Sequence, residues 1–309
     1  MEKSAKIYVC GHKGLVGSAI TRRLVELGYN NLVYRTHSEL DLRIQSDVIE
    51  YFEEEKPDYV FLAAGKVGGI WINSNYPADF IYDNLMIVSN VVHAAYLNKV
   101  KKLIFLGSSC IYPRMAPQPI KEEYFMSGPL EPTNEGYAVA KITGIELCKF
   151  YRKQYGCDFI SAMPTNLYGI NDNFDYKTSH VLPALLRKFH EAKVNGDKEV
   201  IMWGTGKPRR EFMYVNDLAD AVIYLMNNYS DEIHINVGTG EDIEIRELVG
   251  IIKDVVGFEG KIESDLTKPD GMPRKLLDVS RLHNLGWQHK TELKDGIRDV
   301  YDWYVENND

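Results

Sequence analysis

Three glycines spaced three residues apart, Gly11, Gly14 and Gly17, follow directly on the short apolar run Ile7-Tyr8-Val9-Cys10. An amphipathic pattern then continues through Ile20, Leu24, Val25 and Leu27. A strand, a tight turn and a helix account for this order. Glycine allows the sharp turn, a close approach of backbone to a ligand, and tight packing of helix on strand. The first N–H groups of the helix have no intrahelical partner, and they suit a diphosphate. The spacing alone is weak evidence. Its place after a strand and before a helix, near the start of the sequence, points to a dinucleotide-binding turn, with a structural turn as the alternative.

The pattern of strand followed by helix repeats along the first half. Asn31-Leu32-Val33-Tyr34, Tyr59 to Ala64, Leu103 to Leu106 and Phe159 to Met163 read as strands. Residues 77–97 and the segment from Tyr137 to about Tyr155 read as helices. Such alternation builds a Rossmann-like α/β fold: a doubly wound parallel sheet, with ligands at the carboxyl ends of its strands. From Leu167 the pattern loosens. Val215 to Met226 reads as a helix and Ile233 to Val237 as a strand, and both are expected to return to the sheet. A smaller, discontinuous α/β substrate lobe follows from this, made of about 167–211 and 238–309, beside a nucleotide domain made of 1–166 and about 212–237.

Tyr137 and Lys141 are four residues apart, on one face if the segment is helical. An ammonium there is expected to stabilise a phenolate and to lower a phenol pKa that starts near ~10. Such a phenol exchanges a proton with a carbonyl oxygen. Tyr-x-x-x-Lys by itself also describes an ordinary amphipathic helix. Ser108, just past the end of the Leu103 strand, adds a hydroxyl that can hydrogen-bond a substrate oxygen. Cys110 and His180 are two further groups able to trade protons near neutrality. Taken singly, each has a plain alternative: a small packing residue and a satisfied loop histidine.

After the second strand stands Arg35, where a carboxylate would hold the ribose hydroxyls of NAD. Lys13 projects from the glycine turn. Two cations and no carboxylate fit a 2′-phosphate, so NADP(H) is the expected cofactor, unless Arg35 points to solvent. The formal charge of −8 argues against nucleic acid as a partner. No long apolar run suggests a membrane span, and Cys10, Cys110, Cys148 and Cys157 show neither a disulfide framework nor metal spacing. The expectation is a reduced, cytoplasmic protein without a metal.

Six longer runs are more specific. They are Ala63-Ala64-Gly65-Lys66-Val67-Gly68-Gly69-Ile70, Tyr76-Pro77-Ala78-Asp79-Phe80-Ile81-Tyr82, Leu106-Gly107-Ser108-Ser109-Cys110-Ile111-Tyr112-Pro113, Glu131-Pro132-Thr133-Asn134-Glu135, Met163-Pro164-Thr165-Asn166-Leu167-Tyr168-Gly169 and Lys268-Pro269-Asp270-Gly271. With them the chain resembles the extended short-chain dehydrogenases/reductases over essentially its whole length. Within that superfamily it is similar to the 3,5-epimerase-4-reductases of GDP-4-keto-6-deoxy-D-mannose.

The resemblance implies exchange of the protons at C3 and C5, with inversion, and then NADPH-dependent reduction of the C4 ketone to GDP-L-fucose. It makes Tyr137, Lys141, Ser108, Cys110 and His180 the catalytic group. It assigns the cofactor to the glycine turn (Gly11, His12, Lys13, Gly14, Leu15, Val16, Gly17), to Arg35, His37, Asp41 and Leu42, and to Ala63, Ala64 and Gly65. Leu106, Gly107, Ser108, Ser109 and Lys141, then Pro164, Thr165, Asn166 and Leu167, and finally His180 complete that assignment. Lys188, Trp203, Arg210 and Asp270 match nucleotide-sugar contacts. Lys13, His37 and Lys188 stand where the family pattern has arginine; the lysines keep charge but not bidentate geometry. The resemblance further implies a homodimer through the helices of residues 77–97 and 137–155. Phe80, Ile87, Val91, Leu147, Phe150 and Tyr151 are read as apolar surplus on their outer faces.

Other readings remain open. One is a different NAD(P)-dependent sugar-nucleotide epimerase or dehydratase. A dehydratase is expected to have an acidic pair just after the catalytic serine or threonine, where this chain has Cys110 and Ile111. Another is a non-enzymatic NADP-sensing protein, which would tolerate loss of Tyr137 or Lys141.

Overall fold

The computed structural model describes residues 1–268 and 270–308. Its first half alternates strands and helices: β1 (Ile7–Cys10), α1 (Leu15–Glu26), β2 (Leu32–Val33), α2 (Gln45–Glu55), β3 (Tyr59–Leu62), α3 (Ile70–Asn75), α4 (Pro77–Leu97), β4 (Lys102–Leu106), α5 (Glu135–Tyr155) and β5 (Phe159–Pro164). Then come β6 (Asn166–Tyr168), α6 (Val181–Asn195), β7 (Glu199–Trp203), β8 (Arg209–Arg210), β9 (Phe212–Tyr214), α7 (Val215–Asn228) and β10 (Ile235–Val237). The last elements are β11 (Ile243–Glu244), α8 (Ile245–Val256), β12 (Lys261–Asp265), β13 (Arg274–Lys275), α9 (Ser280–Asn284) and α10 (Leu293–Asn308).

The main sheet has the order β10-β5-β4-β3-β1-β2, with every pairing parallel. The order reverses between β1 and β3, and the chain ends of these two strands flank the crevice where such sheets bind ligands. Every residue of β1, β3, β4 and β5 is buried, because helices cover both faces. On one face Ile20 and Leu24 of α1 pack with Leu218 and Val222 of α7. On the other, Phe52 of α2, Val88 and Val92 of α4 and Ile145 of α5 form a second core. The expected strand near 233–237 narrows to β10, which adds to β5 at the sheet edge.

A third core joins Leu186 and Phe189 of α6, Leu248 and Ile252 of α8, and Ile297 and Val300 of α10. Its strands are short pairs: β7 with β12, and β8 with β11 and β13.

The outer faces of α4 and α5 differ from expectation. Phe80 and Val91 are fully buried, so they belong to the core rather than to a surplus. At Gly144 of α5 a Cβ would come within 2.4 Å of the Phe105 ring of β4 and 3.0 Å of Val88 of α4, so α5 packs tightly against both. The large side chains left exposed on the pair are Tyr82, Leu97, Phe150 and Tyr155. No helix among the described residues is long and apolar enough to cross a membrane, and no cluster of His, Cys, Asp and Glu could hold a metal ion.

Candidate active site

The glycine turn is built on close backbone contacts. Gly11 has φ +82°, and a Cβ on it would lie 2.9 Å from the Ala64 backbone at the end of β3. A Cβ on Gly17 would lie 2.1 Å from the Gly11 carbonyl oxygen. Gly14 caps α1 without a side chain, and no acidic residue stands in the first turn. The N–H groups of that turn have no side-chain acceptor, which suits them to a diphosphate. Asn84 of α4 holds the neighbouring loop: its Oδ1 accepts the Lys66 N–H at 3.0 Å and its amide donates to the Lys66 and Phe80 carbonyls. That residue was not legible as functional in the sequence. Its only signal is a buried amide on an apolar helix face.

Around the loop after β2 the cations are less free than expected. Arg35 pairs with Glu55 at 3.2 Å and lies over the Tyr51 ring. Glu39, fixed by the Thr36 N–H and hydroxyl, sits close enough for Lys13 and Arg35 to act on its charge. The expectation of two cations with no opposing carboxylate is thus corrected, because α2 and the loop after β2 bring Glu55 and Glu39 back to them. His37 is exposed and 3.8 Å from Asp41. Asp41 is clamped by Arg43, which holds its carboxyl down at about 2. His12 stacks on Tyr34 with ring centroids 4.4 Å apart.

At the end of β4, Ser108 is extended and its hydroxyl accepts the Cys110 N–H at 3.4 Å, capping a 3-10 turn over Ser109–Ile111. Helix α5 starts at Glu135 and lays Tyr137 and Lys141 over this strand end. Lys141 donates to the Leu106 carbonyl at 2.8 Å, and its nitrogen is 5.6 Å from the Tyr137 ring centroid. Ser108, Cys110, Tyr137 and Lys141 therefore converge beside the glycine turn. His180 approaches from the loop before α6, where Gly69 donates to the Thr178 carbonyl at 2.9 Å and ties that loop to the Lys66–Gly69 segment.

The protonation states depart from expectation. Burial raises the Tyr137 phenol above its ordinary value; the Cys110 charge adds to this, and the Ser108 hydrogen bond opposes it. Lys141 is not among the groups that shift the Tyr137 phenol; its ammonium donates to the Leu106 carbonyl instead. Burial lowers Lys141 itself to about 8. Cys110 is likewise raised by burial, against which Lys275, Ser108 and Lys141 work. His180 is exposed at the start of α6, and partial desolvation by the protein beside it, with the Lys275 charge, keeps it below its ordinary value. The neutral phenol is a proton donor, and the neutral imidazole is a proton acceptor.

Three of the four matched nucleotide-sugar residues lie around two neighbouring glycine turns: a Cβ on Gly204, beside Trp203, would lie 2.4 Å from Asp270 Oδ1, and one on Gly271 3.0 Å from Arg210 Nη2. Arg210 donates to the Arg209 and Met272 carbonyls, and Asp270 accepts the Thr205 N–H and hydroxyl. Trp203 is 69% exposed, with the Lys268 ammonium 5.5 Å from its ring. Lys188 turns to the Ile201 carbonyl, 2.5 Å away. Of the other second-lobe cations, Arg209 and Arg274 are both engaged by Asp242, and Arg187 by Glu191.

The chain matches the family model for the NAD dependent epimerase/dehydratase family over residues 7–238. It is 61% identical to GDP-L-fucose synthase 1 of Arabidopsis thaliana over 306 residues, covering 99% of this chain and 95% of that one. It is 53% identical to GDP-L-fucose synthase of Escherichia coli K12 over 313 residues, covering 98% of each. Among solved structures, a GDP-L-fucose synthetase of Naegleria fowleri bound to NADP superposes with a TM-score of 0.93 at 30% identity, covering 99% of this chain and 96% of that one.

Asp172 is a site-flanking group that sequence reasoning missed. It follows Asn171, whose amide bonds Ser18 of α1 at 3.1 Å. Its Oδ1 accepts the Asn173 N–H, while Oδ2 is buried with no hydrogen-bond partner among the described residues. Burial pushes the carboxyl up to about 7. The unfolded value is near ~3.9, so the folded state holds the proton more tightly, and this group's contribution to stability is lost as pH rises from there to about 7. Asp172→Asn keeps the Asn173 contact and removes the titration. Denaturant unfolding is expected to give equal stabilities near pH ~4 and a gain of about 1–2 kcal/mol for the variant above pH ~7, part of the residue remaining in water. A constant difference across that range would contradict the assignment.

Proposed function

We infer the reaction from one premise: the chain belongs to the NAD dependent epimerase/dehydratase family, and across nearly its full length it matches GDP-L-fucose synthases. Its reaction is theirs. GDP-4-keto-6-deoxy-D-mannose is epimerised at C3 and C5 and then reduced at C4 with NADPH.

We propose the following roles. The observation that carries them is the convergence of Ser108, Cys110, Tyr137 and Lys141 on one strand end beside an uncapped helix N-terminus. The N–H groups of Leu15 to Gly17 hold the cofactor diphosphate, Lys13 and Arg35 meet the 2′-phosphate, and Lys141 contacts the nicotinamide ribose. When bound, NADPH supplies the hydride for C4. Ser108 hydrogen-bonds the C4 oxygen, where negative charge gathers both in the enolate and during reduction. Tyr137, kept neutral by burial, gives its proton to that oxygen in the reduction. Cys110 removes the proton alpha to the ketone and His180 returns one to the opposite face. A dehydratase or a 4-epimerase of the same family would regenerate its cofactor within each turnover, so stoichiometric loss of NADPH separates those readings from this one.

Two assembly-level readings belong here as well. We propose that the exposed Tyr82, Leu97, Phe150 and Tyr155 on α4 and α5 meet a second copy of the chain, since exposed apolar surface on adjacent helices favours a symmetric partner. We further propose that the enzyme works in the cytoplasm, which supplies NADPH and nucleotide sugar.

Three outcomes are expected. Tyr137→Phe loses reduction by about 10²-fold or more yet still washes substrate protons into deuterated water, whereas Cys110→Ala loses the wash-in. If Cys110→Ala and His180→Ala both exchange at the wild-type rate, their roles are wrong. The kcat/KM for NADPH is expected to exceed that for NADH by roughly tenfold, with Lys13→Ala eroding only the NADPH value. Equal values in the wild type would remove the 2′-phosphate reading. Sedimentation at micromolar concentration is expected to show a dimer, and a monomer alone would refute the proposed interface.

A further inference from the structure

Asn73 is a buried amide on the short helix α3, outside every role assigned above. Its Nδ2 donates to the Gly68 carbonyl at 2.7 Å and to the Gly69 carbonyl at 3.1 Å. Its Oδ1 is buried without a hydrogen-bond partner among the described residues. An unpaired buried acceptor is costly, and an apolar side chain of similar size would avoid that cost. What the asparagine supplies is a hold on two successive carbonyls.

The segment held in this way crosses from one group of catalytic residues to another. At its start, a Cβ on Gly65 would lie 2.8 Å from Asn84 Oδ1 and 3.6 Å from Lys141 Nζ. In its middle, a Cβ on Gly68 would lie 3.5 Å from the Phe80 ring, which meets the Tyr137 ring edge-on at 6.3 Å between centroids. At its end, the Gly69 N–H donates to the Thr178 carbonyl at 2.9 Å, and a Cβ there would lie 2.7 Å from the Ser179 carbonyl oxygen. His180 is the next residue. Asn84 holds the start of the segment through Lys66, and Asn73 holds its end. Helix α3 is anchored in turn, since the Ser74 hydroxyl donates to the Thr133 carbonyl at 3.2 Å, in the 3-10 turn before α5.

The loop on the far side is braced within itself. Asp175 Oδ1 accepts the N–H groups of Lys177 and Thr178 at 2.9 and 3.0 Å and the Thr178 hydroxyl at 2.9 Å. The Asn173 amide donates to that hydroxyl at 2.8 Å, and the Ser179 N–H to the Asp175 carbonyl at 3.0 Å. A loop stiffened like this carries a displacement of Thr178 on to His180. A further tether, the Asn171 amide on Ser18 of α1 at 3.1 Å, holds the end of the loop that is remote from His180 in sequence.

We propose that Asn73 is a positioning residue for the inversions: by holding the Gly68 and Gly69 carbonyls it fixes the Gly69–Thr178 hydrogen bond, and through that bond it sets His180 opposite Cys110. The proposal rests on the proton-transfer roles given above to Cys110 and His180. In a productive cycle the Cys110 thiolate takes the proton from the substrate carbon, leaving the enolate, and the His180 imidazolium gives its proton to the opposite face. With His180 displaced, the Cys110 thiol trades its proton with water and returns one to the face it came from. Exchange then continues without inversion. A displacement of about 1 Å is enough to slow such a transfer by roughly 10²-fold. Asn73 neither gives nor takes a proton.

The test follows both events in deuterated water, with NADP⁺ in place of NADPH so that exchange runs without reduction. Deuterium at C3 and C5, and their configuration after the ketone is trapped with borohydride, are both read by NMR. In Asn73→Ala the number of exchanges per inversion is expected to rise by about tenfold or more. Asn73→Ser, whose hydroxyl reaches the Gly69 carbonyl four residues back, is expected to recover most of the wild-type ratio. Amide hydrogen exchange over residues 173–180 is expected to quicken in the alanine variant and to stay near the wild-type rate in the serine variant. Asn73→Leu serves if the alanine variant does not fold. An unchanged ratio in the neutral apolar variants would overturn the proposal, and a joint loss of exchange and inversion at that ratio would make Asn73 a support of the fold alone. A raised ratio with unchanged amide exchange in the loop would also overturn it, since the effect would then bypass the Thr178 contact. Inversion at the wild-type rate in His180→Ala would instead bring down the role of His180, a result distinct from these.

Discussion

The carboxylate of Glu211 is fully buried and accepts hydrogen bonds from the backbone of Thr239 at 2.7 Å, Gly240 at 2.8 Å and Leu277 at 2.9 Å. Its backbone carbonyl takes the Asn166 amide at 2.8 Å, and its N–H reaches the Lys275 carbonyl at 3.3 Å. One residue thereby gathers the loop after β5, the β8–β9 junction, the loop after β10 and the chain around β13. Burying a carboxylate is costly unless hydrogen bonds replace its water. Three N–H donors do so here, although burial still raises the carboxyl above its ordinary value. The arrangement also dictates Gly238, where a Cβ would lie 2.2 Å from Glu211 Oε1. The segments bearing Asn166, Arg210 and Lys275 are all registered on this one residue, the first and last through its backbone.

Burial governs the chemistry as strongly as it governs the fold. Tyr137, Cys110, Lys141, Lys275 and His180 all have their charged forms disfavoured by surrounding protein. In water such groups would be tuned mainly by their nearest neighbours. Inside the cleft, desolvation is the first cause for each, and neighbouring charges decide how much of it is offset. A phenol kept neutral this way is a ready proton donor. A thiol kept neutral is a poor base until neighbouring groups lower the cost of its thiolate, and the Ser108 hydroxyl and the surrounding lysine charges work in that direction.

Much of the fold was legible from local pattern. The run before Gly11, the glycine spacing and the amphipathic stretch after it are β1, the turn and α1, because backbone freedom and helical periodicity are properties of neighbouring residues. The helix over residues 77–97 was readable to its ends for the same reason, with proline at its first turn. The convergence of Ser108 with Tyr137 was foreshadowed by the rule that ligands sit at strand carboxyl ends. Asn84 and Asp172 were not foreshadowed, since a polar residue in a loop or on a helix gives no local sign of whether it will be buried or what it will face.

The sequence by itself determined the elements, the glycine turn, the catalytic residue types and the family to which they belong, all of which depend on spacing along the chain. The tertiary structure alone decided which charges meet. Glu55 and Glu39 return to Arg35 and Lys13, Phe80 and Val91 turn into the core, and Lys141 bonds a carbonyl instead of the phenol. Electrostatic interaction and desolvation depend on distance in space and on how much water is excluded, and neither can be read from separation along the chain.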